Sequence, residues 1–430
     1  MLLDFSFANY RVYKSPVHFT MASGRFKSFE KSLIPIPGQR TAKMLPMAAI
    51  YGGNASGKTT FIHAIKCIRS IVLSGKINQV EPFRLDEATS VQPTEFCICF
   101  ASQQKVWEYR IVLTKEAVER EALYDVTTNV RKCIFDRTIG KCNIGRLILK
   151  SDKTGSVQFA QIMGENLPAS EVFLFNIVKL QIKGILPYVL PCYEWFDKTL
   201  CIISADSRRV GLSLDLFAQL PLYSEALANA DTGVEALKFC KVDIKNVVPD
   251  DVLEKFKESD DNVLFASHDS SLLLIKRGKD DIQAVRCHSV HTSELGNQVT
   301  FPLSNESDGT RRYLHLLPML LDTSGERVYV IDELDRSLHT RLSASLIKHC
   351  RNLIASGKQK LQLIFTTHDV MLMDDENFRK DEIWATERDA HHAAHMMAFS
   401  DFKNVRADIK MRNSYLEGRM GGLPNIDCCI

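Results

Sequence analysis

Alternating apolar and polar residues open the chain: LLDFSFANYRVY predicts a strand, and VHFTMAS a second. The run LPMAAIY predicts a buried strand that leads straight into the glycine-rich stretch YGGNASGKTT. Behind it, Phe61, Ile65, Ile68 and Val72 recur at helical spacing, so TTFIHAIKCIRSIVL predicts an amphipathic helix. EFCICFAS, VWEYRIVLT and EREALYDV predict antiparallel strands divided by polar turns. From about residue 140 to about 240 the pattern is mostly helical, as in FLFNIVKLQIKGILPYVLPCYEWF. NVLFAS, SLLLIKRG and DIQAVRCHSV then return to strand. The last third alternates again: a helix from RRYLHLLPMLL, a strand VYVID, a helix from SLHTRLSASLIKHC and a strand LQLIFTTH. No internal repeat, low-complexity tract or heptad pattern interrupts this order.

These patterns predict a split α/β architecture. Residues 1–139 and 300–430 form the two halves of one core, and 140–299 form an inserted, largely helical lobe that returns through antiparallel strands. The length of 430 residues is large for one compact core and agrees with that division.

Composition narrows the class. No stretch approaches the ~20 uninterrupted apolar residues of a membrane span, and the first residues lack a signal peptide's basic start and apolar block. No membrane role is expected. Twelve cysteines, with no CxxC pair, suit a reducing cytoplasm. Cys97 and Cys99 read as small strand hydrophobes, and Cys428 and Cys429 do not fit a lipidation pattern. A net charge of +2 excludes a polycationic nucleic-acid coat, so DNA or RNA binding requires its own signal.

The chemistry gathers in four places. Gly52-x-x-x-x-Gly57-Lys58-Thr59 is a complete phosphate-binding P-loop between a predicted strand and a predicted helix. Its nucleotide-binding residues are Gly52, Gly53, Asn54, Ala55, Ser56, Gly57, Lys58, Thr59 and Thr60, whose backbone N–H groups converge on phosphate oxygens. Lys58 is expected at the β- and γ-phosphates of ATP, and the Thr59 hydroxyl on Mg²⁺. The strand VYVIDE ends in Asp332, expected to hold Mg²⁺, and in Glu333, expected to orient or deprotonate the attacking water. LQLIFTTHD delivers His368 to a strand's C-terminal edge, where ligands collect in open α/β sheets. Ser307, Asp308, Gly309 and Thr310 lead into a helix, either as an anion-seeking N-terminus or as a simple cap. Two phosphate-gripping helix starts exceed the need of one nucleotide. A dimer uses both, each subunit presenting one to its partner's ATP.

The order of loop, serine-glycine signature, acidic strand and late histidine resembles that of ABC-type ATPase heads, including SMC, Rad50 and RecF relatives. More closely, the chain resembles the AAA15-type, RloA-like ATP-binding proteins of prokaryotes, a group found with phage-defence loci. The likeness spans nearly the whole chain, in NYRVY, YGGNASGKT, PFRLDE, ESDGTRR, VIDELDRSLH, FTTHD, DEIWATE and YLEGRMGGLP. It implies a P-loop sheet plus an antiparallel β-lobe. It further implies Ser307 and Gly309 on the γ-phosphate in trans, and Ser337, Leu338 and His339 as a D-loop at a dimer seam. Asp308 and Thr310 stand where transporter-type signatures carry glycine and glutamine, and Val12 breaks the usual NFRSF opening around Arg11.

The expected function is therefore that of an ATP-hydrolysing ATPase that works as a nucleotide-gated homodimer or higher oligomer. It would regulate a partner effector, nuclease-like, in antiviral defence. The alternative is a repair or recombination ATPase that binds DNA when ATP is bound, with Arg311, Arg312, Arg336 and Arg341 as the basic candidates. The absence of heptads argues against a long coiled coil of the Rad50 kind. The short stretch after His368 argues against an appended nuclease module.

Overall fold

The computed structural model describes residues 1–128, 130–205, 216–244, 248, 253–254, 263–266, 272–277, 282–323, 325–402 and 411–423. Cys428, Cys429 and Pro424 of the closing motif lie outside them. The chain divides into two units. The first takes residues 1–204, 324–334 and 351–430; the second takes 205–323 and 335–350.

The first unit contains two large sheets. One is antiparallel, built from β1 (Leu2–Ala8), β2 (Val17–Thr20), β6 (Thr94–Ser102), β7 (Lys105–Leu113), β8 (Val118–Asp125), β9 (Lys132–Thr138) and β10 (Lys141–Ile144), in the order β10-β9-β8-β7-β6-β1-β2. Its strands alternate as the sequence does: Phe96, Ile98 and Phe100 are buried, while Cys97 and Cys99 lie half-buried on the opposite face. Burial pushes the Cys97 thiol up to about 11, as befits an inert strand residue. Two short strands, β3 (Ile34–Pro35) and β4 (Lys43–Met44), pair beside it.

The other sheet contains β5 (Met47–Gly52), β11 (Leu200–Ile203), β17 (Glu326–Ile331), β18 (Lys360–Thr366), β19 (Ile383–Arg388) and β20 (Ala394–Ala398), in the order β11-β17-β18-β5-β19-β20. Every neighbouring pair is parallel except β19 with β20. All six residues of β5 are buried, as its unbroken apolar run requires of a central parallel strand. Helix α1 (Lys58–Ser74) follows, burying Phe61, Ile62, Ile65, Ile68 and Val72. The Phe61 ring meets Phe5 at 5.9 Å and Phe19 at 4.9 Å, which fastens α1 to the antiparallel sheet. A short α2 (Glu87–Ser90) is capped by Asp86.

Four helices, α3 (Arg146–Ser151), α4 (Ser156–Asn166), α5 (Phe173–Lys179) and α6 (Leu186–Glu194), also belong to this unit. Two buried polar side chains hold α4 and α5. The Glu121 carboxylate accepts from the Phe173 and Leu174 N–H groups at the start of α5, at 2.6 and 2.9 Å. Arg137 donates to the Gly164 and Leu167 carbonyls at the end of α4, both at 2.9 Å.

The second unit holds an antiparallel sheet of β12 (Ala236–Val242), β13 (Val263–Ala266), β14 (Leu272–Arg277), β15 (Ile282–Thr292) and β16 (Gln298–Pro302). It also holds α7 (Leu216–Ala228), which packs against α8 (Asp308–Leu321). A longer helix, α9 (Thr340–Ala355), and a short α10 (Met411–Leu416) close the element order. Strands β11 and β12 interrupt the stretch that reads as mostly helical. LCII has four apolar residues, too few for periodicity to separate strand from helix. It becomes a strand because it finds β17 beside it, in parallel register. Among the described residues no helix is long and apolar enough to cross a membrane.

Candidate functional site

Three parallel strands end at one edge of the central sheet, and each delivers a motif there. Strand β5 runs into the P-loop, with Gly52 at a φ of +152° and Gly57 at +116°. A Cβ on Gly52 would press into the Thr386 carbonyl and come within 2.5 Å of Ser56 Oγ, so only glycine fits. Gly52→Ala is expected to lower the unfolding free energy by roughly 1–3 kcal/mol and to weaken nucleotide binding in parallel. Denaturant titration beside a binding isotherm measures both.

The loop is held from three sides. Tyr13 donates its hydroxyl to the Gly57 carbonyl at 3.2 Å, and burial raises its pKa, keeping that proton in place. Ser56 Oγ and Thr386 Oγ1 lie 2.7 Å apart. The Gly53 N–H donates to the Gly422 carbonyl at 3.1 Å. Gly422 is itself tied down: its N–H donates to Glu387 Oε2 at 3.0 Å, and its carbonyl accepts from Tyr415 Oη at 2.9 Å. The closing YLEGRMGG stretch is thus a turn that buttresses the P-loop, a role that spacing alone does not disclose.

Lys58, the first residue of α1, is buried, and its Nζ donates to the Gly52 and Gly53 carbonyls, both at 2.8 Å. Those charge-assisted bonds offset the cost of removing an ammonium from water. Thr59 Oγ1 donates to Asp332 Oδ1 at 3.3 Å, and Thr366 Oγ1 donates to the same oxygen at 2.7 Å. The Thr366 hydroxyl also accepts from the Glu333 N–H at 2.8 Å. Thr366, at the end of β18, therefore positions both acids that follow β17, though its place in the sequence does not mark it out. A hydroxyl beside a carboxylate is a hard oxygen donor set that fits Mg²⁺. Glu333 and Ala55 both hold left-handed backbone, at φ of +51° and +58°, the kind of strain that clusters at functional sites.

A cavity of about 300 Å³ is lined by residues 54–60 together with Glu333, His368 and Arg388. The P-loop, the acidic strand end and the late histidine thus meet around one space. Arg11 takes no part in the lining; its Nη2 donates to Glu81 Oε1 at 3.2 Å, and its Nη1 faces His63.

Ser307, Asp308, Gly309 and Thr310 belong to the second unit, with Ser337, Leu338 and His339. Ser307 caps α8, its Oγ accepting from the Thr310 N–H at 3.0 Å. Asp308 pairs with Arg311. A Cβ on Gly309 would stand 2.7 Å from the Ser337 carbonyl, so the signature glycine allows the two segments to touch. Ser337 has a φ of +59°, and the Leu338 N–H donates to the Asp335 carbonyl at 3.0 Å. Ahead of the signature, Glu306 accepts from Ser289 and sits 2.8 Å from His291 Nε2, fixing the approach to α8. Among the described residues no cluster of three His, Cys, Asp or Glu could hold a metal ion, so the Thr59–Asp332 pair is not a self-sufficient metal site.

A P-loop after the central strand of a parallel sheet, beside an acidic strand end and an antiparallel β-lobe, defines an α/β P-loop ATPase. The family model described as "AAA domain, putative AbiEii toxin, Type IV TA system" matches residues 47–159 and 235–374, more than half of the chain, and the chain belongs to that family. No curated protein matches the sequence. Among solved structures, the chain is similar to an SMC head bound to the C-winged helix domain of ScpA, at 12% identity and a TM-score of 0.45, covering 93% of this chain and 99% of that one. It is also similar to the SMC head domain from Thermotoga maritima, at 12% identity and a TM-score of 0.36, covering 92% and 98%. A third likeness is the Pyrococcus furiosus Smc head domain bound to the C-terminal domain of ScpA, at 12% identity and a TM-score of 0.38, covering 93% and 97%. Likenesses this distant carry no weight for function.

Proposed function

We propose that this protein is a cytoplasmic ABC-type ATPase that binds and hydrolyses ATP as a nucleotide-gated homodimer. By coming together and apart, it regulates a nuclease-like effector in antiphage defence. The observation that carries the ATPase reading is the meeting of the P-loop, Glu333 and His368 around one cavity, with Asp332 held beside Thr59. The description of its family, a toxin of a type IV TA system, supports work alongside a second gene product.

The chemistry divides among this chain's own residues. Loop N–H groups and the start of α1 bind the phosphates, and Lys58 turns to the β- and γ-oxygens. Thr59 and Asp332 would hold Mg²⁺, which would supply positive charge to offset that of the phosphates. Glu333 orients the attacking water and takes its proton, while His368 donates a hydrogen bond towards the γ-phosphate. Ser307 and Gly309, backed by Ser337, face the nucleotide of a second copy. Hydrolysis removes the γ-phosphate that joins the two copies, and the dimer opens.

The test compares light scattering of the full chain in Mg-ATP and Mg-ADP with that of Ser307→Asn. Asparagine keeps the helix cap but replaces the hydroxyl. The wild type is expected to dimerise in ATP alone, and the variant to need about tenfold more protein to do so. A strict monomer at saturating ATP, turning over at full speed and indifferent to Ser307, would overturn the proposal.

A further inference from the structure

Arg388, the last residue of β19, has no place in the motifs that define the nucleotide site, yet it lines the same cavity as the P-loop. Three observations explain why it does so. Strand β19 runs parallel to β5, with Thr386 in register opposite Gly52, so Arg388 extends two residues beyond the first glycine of the loop. Residues two apart on a strand share a face. Thr386 turns to the loop, with Oγ1 2.7 Å from Ser56 Oγ, and Arg388 follows it to that side. Glu387, between them, faces the other way and accepts from Gly422.

The charge of Arg388 is also uncommitted. Its side chain is exposed and makes no ion pair among the described residues. The adjacent carboxylate, Asp389, is occupied with the β19–β20 turn, accepting from the His391 N–H at 2.8 Å, the Ala393 N–H at 2.9 Å and His395 Nε2 at 3.0 Å. Arg11, which faces His63 of α1, is held by Glu81 and takes no part in the lining.

The sheet order gives Arg388 a side. Strands β17 and β18, which carry Glu333 and His368, lie on one flank of β5, and β19 lies on the other. We propose that Arg388 is a further nucleotide-contacting residue, its guanidinium gripping the α- and β-phosphates from the flank opposite Glu333 and His368. A planar fork of donors suits adjacent phosphate oxygens, and a lysine there would retain the charge without the fork. Contact at the α- and β-phosphates serves ADP and ATP alike, so Arg388 sets affinity and leaves the hydrolytic step to the other flank. This inference rests on the reading of the P-loop as an ATP site.

The experiment titrates fluorescently labelled ADP and ATP, with Mg²⁺, against the full chain, Arg388→Ala, Arg388→Lys and Lys58→Ala. It adds steady-state turnover and thermal melting for each. Arg388→Ala is expected to raise the Kd of both nucleotides by the same factor, about tenfold, with kcat at saturating ATP within about twofold of wild type. Arg388→Lys should fall between, and the melting temperature should not move. Unchanged affinity in Arg388→Ala, or a fall in kcat without a change in Kd, overturns the inference while Lys58→Ala still shows the ATP site to be real. A wild type that binds neither nucleotide, or a Lys58→Ala variant that binds like wild type, overturns the ATP reading and this inference together.

Discussion

Glu333→Gln is expected to lower ATP turnover by roughly 10²–10⁴-fold, the usual worth of a general base, while nucleotide affinity stays within about threefold. Glutamine has the shape of glutamate but cannot take a proton. Two backbone bonds fix the chain here: the N–H of Glu333 is held by Thr366 Oγ1 at 2.8 Å, and the neighbouring Leu334 N–H by the Thr366 carbonyl at 3.0 Å. The substitution thus removes one chemical capacity and leaves the strand end where it was. Phosphate release at saturating ATP, beside a nucleotide Kd, separates the two effects. ATP-bound dimers should accumulate, visible as a scattering signal that persists after ATP addition and does not decay. Hydrolysis at the wild-type rate would remove Glu333 from the role.

Lys58→Ala should abolish tight binding, raising the Kd for Mg-ATP by about 30- to 150-fold. That is the range expected from losing a charge-assisted contact of roughly 2–3 kcal/mol. Lys58 is the first residue of α1 and is 5% exposed, its ammonium already within 2.8 Å of two loop carbonyls. A phosphate chain entering the loop exchanges those neutral acceptors for anionic ones, so the gain is electrostatic and local. Calorimetric titration of the full chain with Mg-ATP reads the effect. An affinity within threefold of wild type would overturn the reading of this loop as the ATP site. Thermal melting in the absence of nucleotide gives a second reading, because alanine removes the Nζ bonds to the Gly52 and Gly53 carbonyls.

Much of the architecture could be read from local pattern. The apolar run LPMAAIY and the apolar VYVI ahead of Asp332 both became parallel strands with their apolar residues buried. EFCICFAS alternates, and became one strand of an antiparallel sheet with cysteines on the less buried face. Four-residue LCII gave no such signal, because its strand identity comes from its neighbour. For the site, spacing supplied the P-loop and its strand and helix, since backbone curvature around phosphate demands glycine at fixed intervals.

Other features had no local signature. Thr366 positions two acids of a strand more than thirty residues earlier, and to the sequence it is one threonine among several. Gly422 braces Gly53 across nearly the whole chain. Arg388 faces the nucleotide cavity only because β19 lies against β5 with Thr386 opposite Gly52.

Sequence alone determined the periodicities, the phosphate loop and the order of the motifs, because each of these is a property of residues close together along the backbone. Tertiary structure alone decided which threonine, glycine and arginine stand around that loop. Their placement depends on strand order and register, and those are set by the packing of segments far apart in the chain.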